Sequence, residues 1–554
     1  MKILGIALSH CCSVCYIEDG KLLFLQEEDR FTRKRRQKGF PEKTLEYFFK
    51  KFDLSENDID LCVYSDKQSY NRIKRRIASK KTLFLHHQLA HIFSGWAFSK
   101  DEDFYCLSID GGGDKSWQSY AEFNNNKLIK WESNCGNYFK NGKFGSSFFN
   151  FNRSIPFGRY WSAPAVYNFG MVDKNGIGGY EGKLMGLYAH GISSEFDIIR
   201  HKYNASFSLI KKNQYFHIRT KGNPKIGNPR FVVDKHKNKF SLKEVKRLRK
   251  NNKKIIKEFD LSTKKDLKIA SNFASLLQLN TNNILEELFK KNFIKSIPII
   301  ATGGTFANVV TNGFLNQKYD YFAVPCMGDE GLALGAAAYG AYINNISLSF
   351  DHNICLGYEA PKNNNINIDY IIESLKNKKI IGIIDGKMEF GPRALGSRSI
   401  ISDPQNNNIN ETINSRLERV EYMPFAPVIL ETLADEVLEG WNKKHLSAQH
   451  MTLTYKVKEK YRKLIKGVVH VDNTVRPQVI NKNNTNKVYY NIVKGYFNKT
   501  KIPCLVNTSF NAHGEPILLD VEDGMNALKN NRIDILIANN NIYQIENNQV
   551  VLKN

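Results

Sequence analysis

Long hydrophobic runs are missing from this sequence of 554 residues. No run of about eighteen apolar residues occurs, and a helix that crosses a membrane needs about that many. The first twenty residues include His10, Glu18 and Asp19, which interrupt the apolar segment that a secretory signal peptide requires. We therefore expect no membrane span, and a protein of the cytoplasm, either bacterial or made by a phage inside its host.

Paired cysteines are also scarce. The nine cysteines are scattered and odd in number, and a C-x-x-C formed by Cys12 and Cys15 has no second pair to match it. An isolated pair in an apolar stretch is more typical of a buried strand than of a zinc or redox site. Reduced thiols agree with a cytoplasmic location.

Acidic residues are few compared with basic ones, which gives a net charge of +25. The segment 201–258 holds 18 Lys and Arg against 3 Asp and Glu, so the excess is concentrated rather than spread along the chain. Aromatic residues alternate with these charges, as in surfaces that bind nucleic acids. A second basic cluster occupies 72–81. The alternative interpretation of the 201–258 segment is a solvated, lysine-rich insertion.

The chain is too long for one hydrophobic core, so we expect at least two domains. A strand, turn and strand pattern over 1–28 recurs over 104–132, which indicates an internal duplication. Glycine-rich turns and helices of small residues follow, a combination typical of the actin/Hsp70-like α/β architecture. A polar linker at 360–369 separates this part from a second α/β domain. The predicted domains are 1–355, with a basic insertion at 201–258, and 370–554.

The segment "HHQLAH" (86–91) places His87 and His91 four residues apart, on one face of a helix. Such a pair can bind one metal ion. A zinc protease would carry a glutamate as general base beside the first histidine, but this sequence has Gln88. The pair therefore predicts a metal with another task, and the alternative is a buried helix face without metal.

Nine segments, in order, carry a resemblance to a known family. They are "EEDRFTRK" (27–34), "HHQLAH" (86–91), "DGGGD" (110–114), "EGKLMGLYAHG" (181–191), "GGTFANVVTNG" (303–313), "MGDEGLALGAAAYG" (327–340), "MEFGPRALGSRSI" (388–400), "VDNTVRPQ" (471–478) and "NTSFNAHGEPI" (507–517). In these segments the sequence resembles the O-carbamoyltransferases that modify nodulation factors and antibiotics such as tobramycin and cephamycins. The resemblance implies an N-terminal domain of threonylcarbamoyl-transferase type, with the actin/Hsp70-like (ASKHA) fold, and a C-terminal YrdC-like domain.

The resemblance also implies two half-reactions. The C-terminal domain would use carbamoyl phosphate and ATP to form carbamoyl adenylate, and the N-terminal domain would pass the carbamoyl group to a hydroxyl group and release AMP. Planar guanidinium groups suit the anionic substrates, and amide and hydroxyl groups suit the carbamoyl group. The expected carbamoyl phosphate-binding residues are Arg393, Arg398, Arg476, Asn507, Ser509 and Asn511; each arginine has the alternative of an ordinary ion pair.

In the N-terminal domain the resemblance implies one divalent metal, with iron favoured and zinc, manganese or magnesium as alternatives. The expected ligands are His87, His91, Asp110 and Asp329. His10 is the expected general base, and Lys34 or Arg35 would stabilise the developing negative charge, unless that run is simply a solvated basic face. The expected nucleotide-binding residues are Gly111, Gly112, Glu181, Lys183, Gly303, Gly304 and Asn308.

Two positions depart from the family pattern. Cys11 stands where the family has an aspartate. Met423 stands where the family has an arginine of the carbamoyl phosphate site, and Arg416 or Arg419 is expected to replace it.

The basic segment bears on the identity of the acceptor. A polyanion gains affinity from such a charge, so the favoured acceptor is the hydroxymethyl group of 5-hydroxymethylcytosine in DNA. A sugar hydroxyl on a glycan or natural product is the alternative, and a nucleotide-dependent nucleic-acid-binding protein without transferase activity is a third hypothesis. The expected DNA contacts are Lys211, Lys212, Arg219, Arg230, Lys246 and Arg247.

Overall fold

The computed structural model describes most of the chain outside its middle third. It covers 1–134 except 9, 67–69, 71, 72, 74 and 115, and 261–553 except 406, 407, 420 and 421. Between these parts it describes only 137–140, 143–146, 154–155, 161, 165, 181–191, 197–198, 209–212, 215–219, 230–234 and 239–243. No helix in these ranges is both long enough and apolar enough to cross a membrane.

The strands are numbered in chain order. They are β1 Lys2–Ala7, β2 Ser13–Glu18, β3 Lys21–Glu27, β4 Leu61–Ser65, β5 Lys81–Leu85, β6 Phe104–Gly113, β7 Ser116–Asn124, β8 Lys127–Ser133, β9 Asn137–Lys140, β10 Lys143–Ser146, β11 Ser154–Ile155, β12 Asp197–Ile198, β13 Leu209–Lys212, β14 Tyr215–Arg219, β15 Arg230–Asp234, β16 Lys239–Lys243, β17 Ile299–Thr302, β18 Tyr321–Ala323, β19 Cys355–Glu359, β20 Ile381–Ile384, β21 Lys387–Glu389, β22 Arg398–Ser402, β23 Ala426–Leu430, β24 Tyr455–Lys456, β25 Thr474–Val475, β26 Gln478–Ile480, β27 Cys504–Ser509, β28 Ile535–Ala538, β29 Asn541–Glu546 and β30 Gln549–Lys553.

The α-helices are numbered in the same way. They are α1 Asp29–Thr32, α2 Glu42–Phe52, α3 His87–Ala97, α4 Glu181–Gly186, α5 Lys264–Asn292, α6 Val309–Asn316, α7 Leu332–Ile343, α8 Ile368–Lys376, α9 Ile409–Arg416, α10 Glu431–Val437, α11 Glu459–Arg462, α12 Lys487–Thr500 and α13 Val521–Lys529.

The chain folds into two compact units. The first comprises 1–100, 322–420 and 424–554, and the second comprises 101–321 and 421–423. The predicted domain boundary near 355–370 falls inside the first unit and remains a prediction.

The first unit contains a five-stranded sheet in the order β3-β2-β1-β4-β5. Antiparallel pairing joins β1 to β2 and β2 to β3, whereas β1, β4 and β5 run parallel. The second unit repeats this order in β8-β7-β6-β17-β18, with β17 parallel to β6, and β9 and β10 extend the sheet beyond β8. The matching strand orders confirm the predicted duplication and the actin/Hsp70-like α/β fold.

The first unit also contains an eight-stranded mixed sheet, β26-β23-β27-β22-β20-β28-β29-β30. Its central strands β20, β22, β23 and β28 are buried throughout, as expected for a sheet covered by helices, and all of them except β22, which begins with Arg398, consist of apolar residues. The sheet agrees with the mixed α/β fold class predicted for the C-terminal part of the chain, and the separate domain predicted there stays a prediction.

Small residues let helices pack unusually close to the first sheet. A Cβ atom on Gly335 of α7 would lie 1.7 Å from the Ala90 carbonyl oxygen of α3, and one on Gly5 of β1 would lie 2.1 Å from the Ala333 carbonyl oxygen. Only glycine fits at either position. This packing fixes α3 beside the start of α7, where the site described below is found.

Two buried histidines in the first unit predict acid sensitivity. Burial lowers the pKa of His450 to about 3 and of His352 to about 4. Neither ring nitrogen of His450 has a hydrogen-bond partner among the described residues, so protonation would bury an uncompensated charge. A lowered folded-state pKa stabilises the protein above the ordinary histidine pKa, and that stability is lost as the pH falls toward the folded-state value.

Between about pH 6 and pH 4 each such histidine should lower the free energy of unfolding by about 1.4 kcal/mol per pH unit. The variant His450→Leu should have a shallower decline than the unmodified protein in urea unfolding measured across this range. Equal slopes for the two proteins would contradict this assignment.

Candidate functional site

Three of the four predicted metal ligands lie together in the first unit. His87 and His91 occupy successive turns of α3, and Asp329 lies in the turn that leads into α7. One ligand atom from each of these side chains lies within 4.8 Å of the others. All three are at least nine-tenths buried. Two imidazoles and one carboxylate in a buried cluster form a donor set that suits iron, zinc or manganese.

Two further side chains, those of Asp66 and His10, lie next to this cluster. The Nδ1 atom of His87 lies 3.7 Å from the Asp66 carboxylate, and Oδ2 of Asp329 lies 3.2 Å from Nδ1 of His10. The Oδ1 atom of Asp329 faces the Nε2 atoms of His87 and His91, at 3.7 and 3.8 Å. Asp329 thus directs one oxygen toward the histidine pair and the other toward His10. Carboxylates in such positions orient metal-binding imidazoles.

The topology explains why these residues meet. His10 follows β1, Asp66 follows β4, and His87 follows β5. These three strands are parallel neighbours, so their carboxyl ends share one edge of the sheet. Sequence reasoning missed Asp66. The sequence did contain a signal for Asp66, because this residue directly follows the apolar strand β4. The parallel pairing of β4 with β1 was not predicted.

The turn at His10 is held by the segment that carries the two predicted cationic residues. The Cys12 amide donates to the Gln37 carbonyl at 3.0 Å, and His10 forms a bridge with Lys38. Lys34 and Arg35 lie in the same segment and are exposed. The backbone of this segment therefore lies beside His10.

Cys11 does not supply the negative charge of the aspartate that it replaces. Burial raises the pKa of its thiol well above the ordinary value, and the Glu330 carboxylate raises it further. The thiol is therefore neutral. Its backbone has a φ of 67°, a conformation that aspartate and asparagine adopt more readily than other residues.

In the second unit, two of the predicted nucleotide-binding turns lie side by side. Asp110 lies near the end of β6 and accepts hydrogen bonds from the Gly304 and Gly112 amides at 3.1 and 3.2 Å. Gly303 has a φ of 90°, and a Cβ atom there would lie 2.4 Å from the Ile109 carbonyl oxygen. The close approach requires glycine, as in turns that cradle phosphate groups. The role of Gly111 and Gly112 in nucleotide binding remains a prediction.

The contacts of Asn308 differ from those expected of a nucleotide-binding residue. Its side chain caps α6 by accepting from the Thr311 amide at 3.1 Å, and it donates to Gln278 at 3.0 Å. This buried capping role is at odds with a direct contact to a nucleotide. Lys183 lies half-buried on α4, and the side chain of Glu181 lies outside the described residues.

The predicted carbamoyl phosphate-binding segments converge in the first unit. Asn507 of β27 donates to the Ala394 carbonyl at 3.0 Å and to Gln478 at 2.8 Å. Gln478 in turn donates to the Leu395 carbonyl at 2.8 Å. The loop that carries Arg393, the segment that carries Arg476 and the start of "NTSFN" are therefore joined by side-chain amides. Ser509 and Asn511 continue along the same strand and its following turn.

Arg398 is placed differently from the prediction. Its guanidinium group is fully buried and donates to the backbone carbonyls of Leu519, Ser397, Asp385 and Gly386 at 2.8 to 3.4 Å. This geometry corrects the expected role, because donors spent on the backbone cannot form a planar fork around a phosphate group.

The two candidates for the missing arginine have separate surroundings. Arg416 forms an ion pair with Asp534 at 3.0 Å. Arg419 instead donates to the Thr508 hydroxyl at 3.1 Å and to the Ser509 carbonyl at 2.9 Å, within the "NTSFN" segment. Of the two candidates, Arg419 is therefore the one that contacts a predicted carbamoyl phosphate-binding segment, and its guanidinium group holds that segment through these hydrogen bonds.

The predicted DNA contacts are not tested by the structure. Lys246 and Arg247 lie outside the described residues, as do the side chains of Lys211, Lys212, Arg219 and Arg230.

Comparison with known proteins agrees with the geometry. The family described as carbamoyltransferase N-terminus matches residues 2–77 and 68–338, and the family described as carbamoyltransferase C-terminus matches 372–544. An uncharacterized protein of Methanocaldococcus jannaschii is 30% identical over 97% of this chain and 98% of its own length. The nodulation protein NolNO of Sinorhizobium fredii is 24% identical over 96% of this chain and 78% of its own length.

Proposed function

This chain belongs to the carbamoyltransferase family, and from that premise we propose that it activates a carbamoyl group with ATP and transfers it to a hydroxyl group in DNA. Carbamoyl phosphate supplies the carbamoyl group. Hydrolysis of carbamoyl phosphate yields carbamate and phosphate, and the carbamate oxygen displaces pyrophosphate from ATP to form carbamoyl adenylate. Transfer of the carbamoyl group to the acceptor hydroxyl then releases AMP. The observation that carries this proposal is the convergence of the three C-terminal segments around Asn507.

The activation step is assigned to the first unit's eight-stranded sheet and its loops. Arg393 and Arg476 supply cationic groups for the phosphate oxygens, while Arg419 holds the adjoining segment through its hydrogen bonds to Thr508 and Ser509. The Oδ1 atom of Asn507 has no hydrogen-bond partner among the described residues, because the Nδ2 atom makes the hydrogen bonds to Ala394 and Gln478. An amide oxygen in that state suits the NH₂ group of a carbamoyl substrate. Ser509 and Asn511 complete the proposed set.

The transfer step is assigned to the cluster around Asp329. His10 is 45% exposed, so an acceptor hydroxyl can reach it, and its Nδ1 faces the Asp329 carboxylate. This arrangement would hold the imidazole with Nε2 directed to take the acceptor proton. Lys34 or Arg35 would stabilise the charge that develops as AMP leaves. Glycines 111, 112, 303 and 304, with Lys183 and Glu181, remain the proposed nucleotide contacts.

His87, His91 and Asp329 would hold the divalent metal ion, with Asp110 as the predicted fourth ligand. Their donor chemistry fits iron best and also admits zinc, manganese or magnesium. When bound, the ion would neutralise the charge of the adenylate phosphate. The surrounding residues Asp66 and His10 do not need to bind the ion for this role.

The proposed acceptor is 5-hydroxymethylcytosine in DNA. The charge of the 201–258 segment favours a polyanion over a small sugar. The test supplies carbamoyl phosphate, ATP, a divalent metal and a duplex with 5-hydroxymethylcytosine, followed by digestion and mass spectrometry of the nucleosides. The matched duplex with 5-methylcytosine lacks only the hydroxyl group.

We expect a carbamoylated nucleoside from the hydroxymethylated duplex alone, and a yield that declines with added salt. Modification of a sugar but not of DNA would identify the alternative acceptor and overturn the DNA assignment. Binding of ATP and DNA without consumption of carbamoyl phosphate would overturn the transferase proposal itself.

A further inference from the structure

The segment Glu27–Arg36 connects the site around His10 to the loop that carries Arg393. Its exposed residues Lys34 and Arg35 have a proposed role in transfer, but its buried residues do not. These buried residues contact the C-terminal part of the first unit rather than the first sheet alone. Their contacts are with two of the segments assigned to carbamoyl phosphate.

Glu27 and Arg30 bind both backbone polar groups of Gly391. The Gly391 amide donates to Oε1 of Glu27 at 2.9 Å, and Nη2 of Arg30 donates to the Gly391 carbonyl at 2.9 Å. The same Nη2 atom contacts Oε1 of Glu27 at 3.0 Å, and Nη1 contacts Asp29 at 2.7 Å. All of these side chains are more than nine-tenths buried. We name this arrangement of Glu27, Arg30 and Gly391 the clamp.

Arg33 makes a second connection from the same segment. It donates to the backbone carbonyls of Ile517 and Pro516 at 2.8 and 3.1 Å. These residues end the "NTSFNAHGEPI" segment. One short stretch of chain therefore holds the two loops that flank the proposed carbamoyl phosphate site.

The clamped loop has a demanding geometry. Gly391 has a φ of 96°, which other residues adopt rarely. Glu389 binds the loop from within, because its Oε1 accepts from the Leu395 amide at 2.7 Å and from the Arg398 amide at 3.1 Å. Arg393 lies between these two anchors and two residues after Gly391. A change at either anchor would move the Arg393 backbone.

Stability alone does not explain the clamp. Burial raises the pKa of the Glu27 carboxyl group, and the adjacent Arg30 guanidinium group opposes this shift. A buried ion pair is a weak source of stability, and apolar residues of similar volume often replace one at no cost. A buried ion pair of fixed geometry does, however, fix the position of the backbone that it binds, which here is Gly391.

We propose that Glu27 and Arg30 are positioning residues that set Arg393 for binding carbamoyl phosphate. This proposal rests on the proposed function, since it assumes that Arg393 contacts that substrate. It assigns a task to the buried half of "EEDRFTRK" and links the chain near His10 to the activation site.

The test compares Glu27→Asp with Glu28→Asp. Glu28 is the adjacent glutamate and is equally buried, at 3% exposure, but its carboxylate binds the Lys43 and Thr44 amides at the start of α2. The measurement is carbamoyl phosphate-dependent exchange of pyrophosphate into ATP, with KM for carbamoyl phosphate and KM for ATP determined separately. Arg30→Lys provides a second clamp variant, and Arg393→Lys provides the reference.

We expect Glu27→Asp and Arg30→Lys to raise KM for carbamoyl phosphate by about tenfold, with little change in KM for ATP. Glu28→Asp should lose thermal stability and keep the KM of the unmodified protein. If Arg393→Lys raises this KM and neither clamp variant does, the clamp proposal is wrong. If Arg393→Lys itself leaves KM unchanged, the proposed role of Arg393 fails instead. If one clamp variant is insoluble and the other has the KM of the unmodified protein, the positioning role is also contradicted.

Discussion

Alanine at His87 or His91 should abolish carbamoyl transfer, with a loss of about a thousandfold or more, while carbamoyl phosphate-dependent pyrophosphate exchange continues. The two imidazoles lie with Asp329 in a buried cluster whose ligand atoms are within 4.8 Å of one another. Removing one of them would remove a third of this donor set. Activation uses other residues, so it should persist.

The variant His86→Asn is the matched control. His86 precedes the same helix, and its ring accepts from the Gln88 amide at 3.2 Å as an N-terminal cap. Asparagine also caps helices, so this variant removes a histidine without removing the cap. Metal content, measured by mass spectrometry of the elements, should fall in the His87 and His91 variants and not in His86→Asn. Full transfer activity without metal in either alanine variant would contradict the assignment.

Alanine at Arg393 should have the opposite pattern. We expect loss of pyrophosphate exchange by about a hundredfold or more and loss of transfer with it, since a charge-assisted contact to the substrate phosphate is removed. Metal content should remain that of the unmodified protein. The two variants together would separate the half-reactions.

Arg416→Gln serves as the control for Arg393→Ala. Arg416 belongs to the same part of the first unit, but its guanidinium group pairs with Asp534. A partly exposed ion pair of this kind contributes at most about 1 kcal/mol, so this variant should remain folded and active. Loss of exchange in Arg416→Gln but not in Arg393→Ala would mean that the phosphate-binding arginine has been misassigned.

Local patterns in the sequence predicted a large part of the fold and the proximity of several residues of the candidate site. The spacing of His87 and His91 placed both on one face of α3, and the glycines at 303 and 304 predicted the tight turn beside Asp110. The repeated hairpins predicted an internal duplication, which the two sheets of matching strand order confirm. These features depend on interactions between residues close in the chain or on strand-end geometry, which a sequence displays directly.

Long-range burial could not be predicted in the same way. Arg398 and Arg393 are five residues apart in one segment, yet the guanidinium group of Arg398 donates its hydrogen bonds to backbone carbonyls. A sequence does not distinguish an arginine that binds a ligand from one that binds the chain. The contact between Glu27 and Gly391 joins residues 364 positions apart, and only the tertiary fold of the first unit brings them together.

Gln88 has a simpler interpretation in the folded structure. It is fully buried on α3, and the proposed general base, His10, faces the Asp329 carboxylate instead. The proposed transfer of a carbamoyl group therefore needs no glutamate at position 88.

The most direct test of the adenylate route is the fate of ATP during turnover. Chromatography of the nucleotides should show AMP and pyrophosphate, formed in amounts equal to the carbamoylated acceptor and only when carbamoyl phosphate is present. Release of ADP in place of AMP and pyrophosphate, or carbamoylation without any consumption of ATP, would contradict the proposed mechanism.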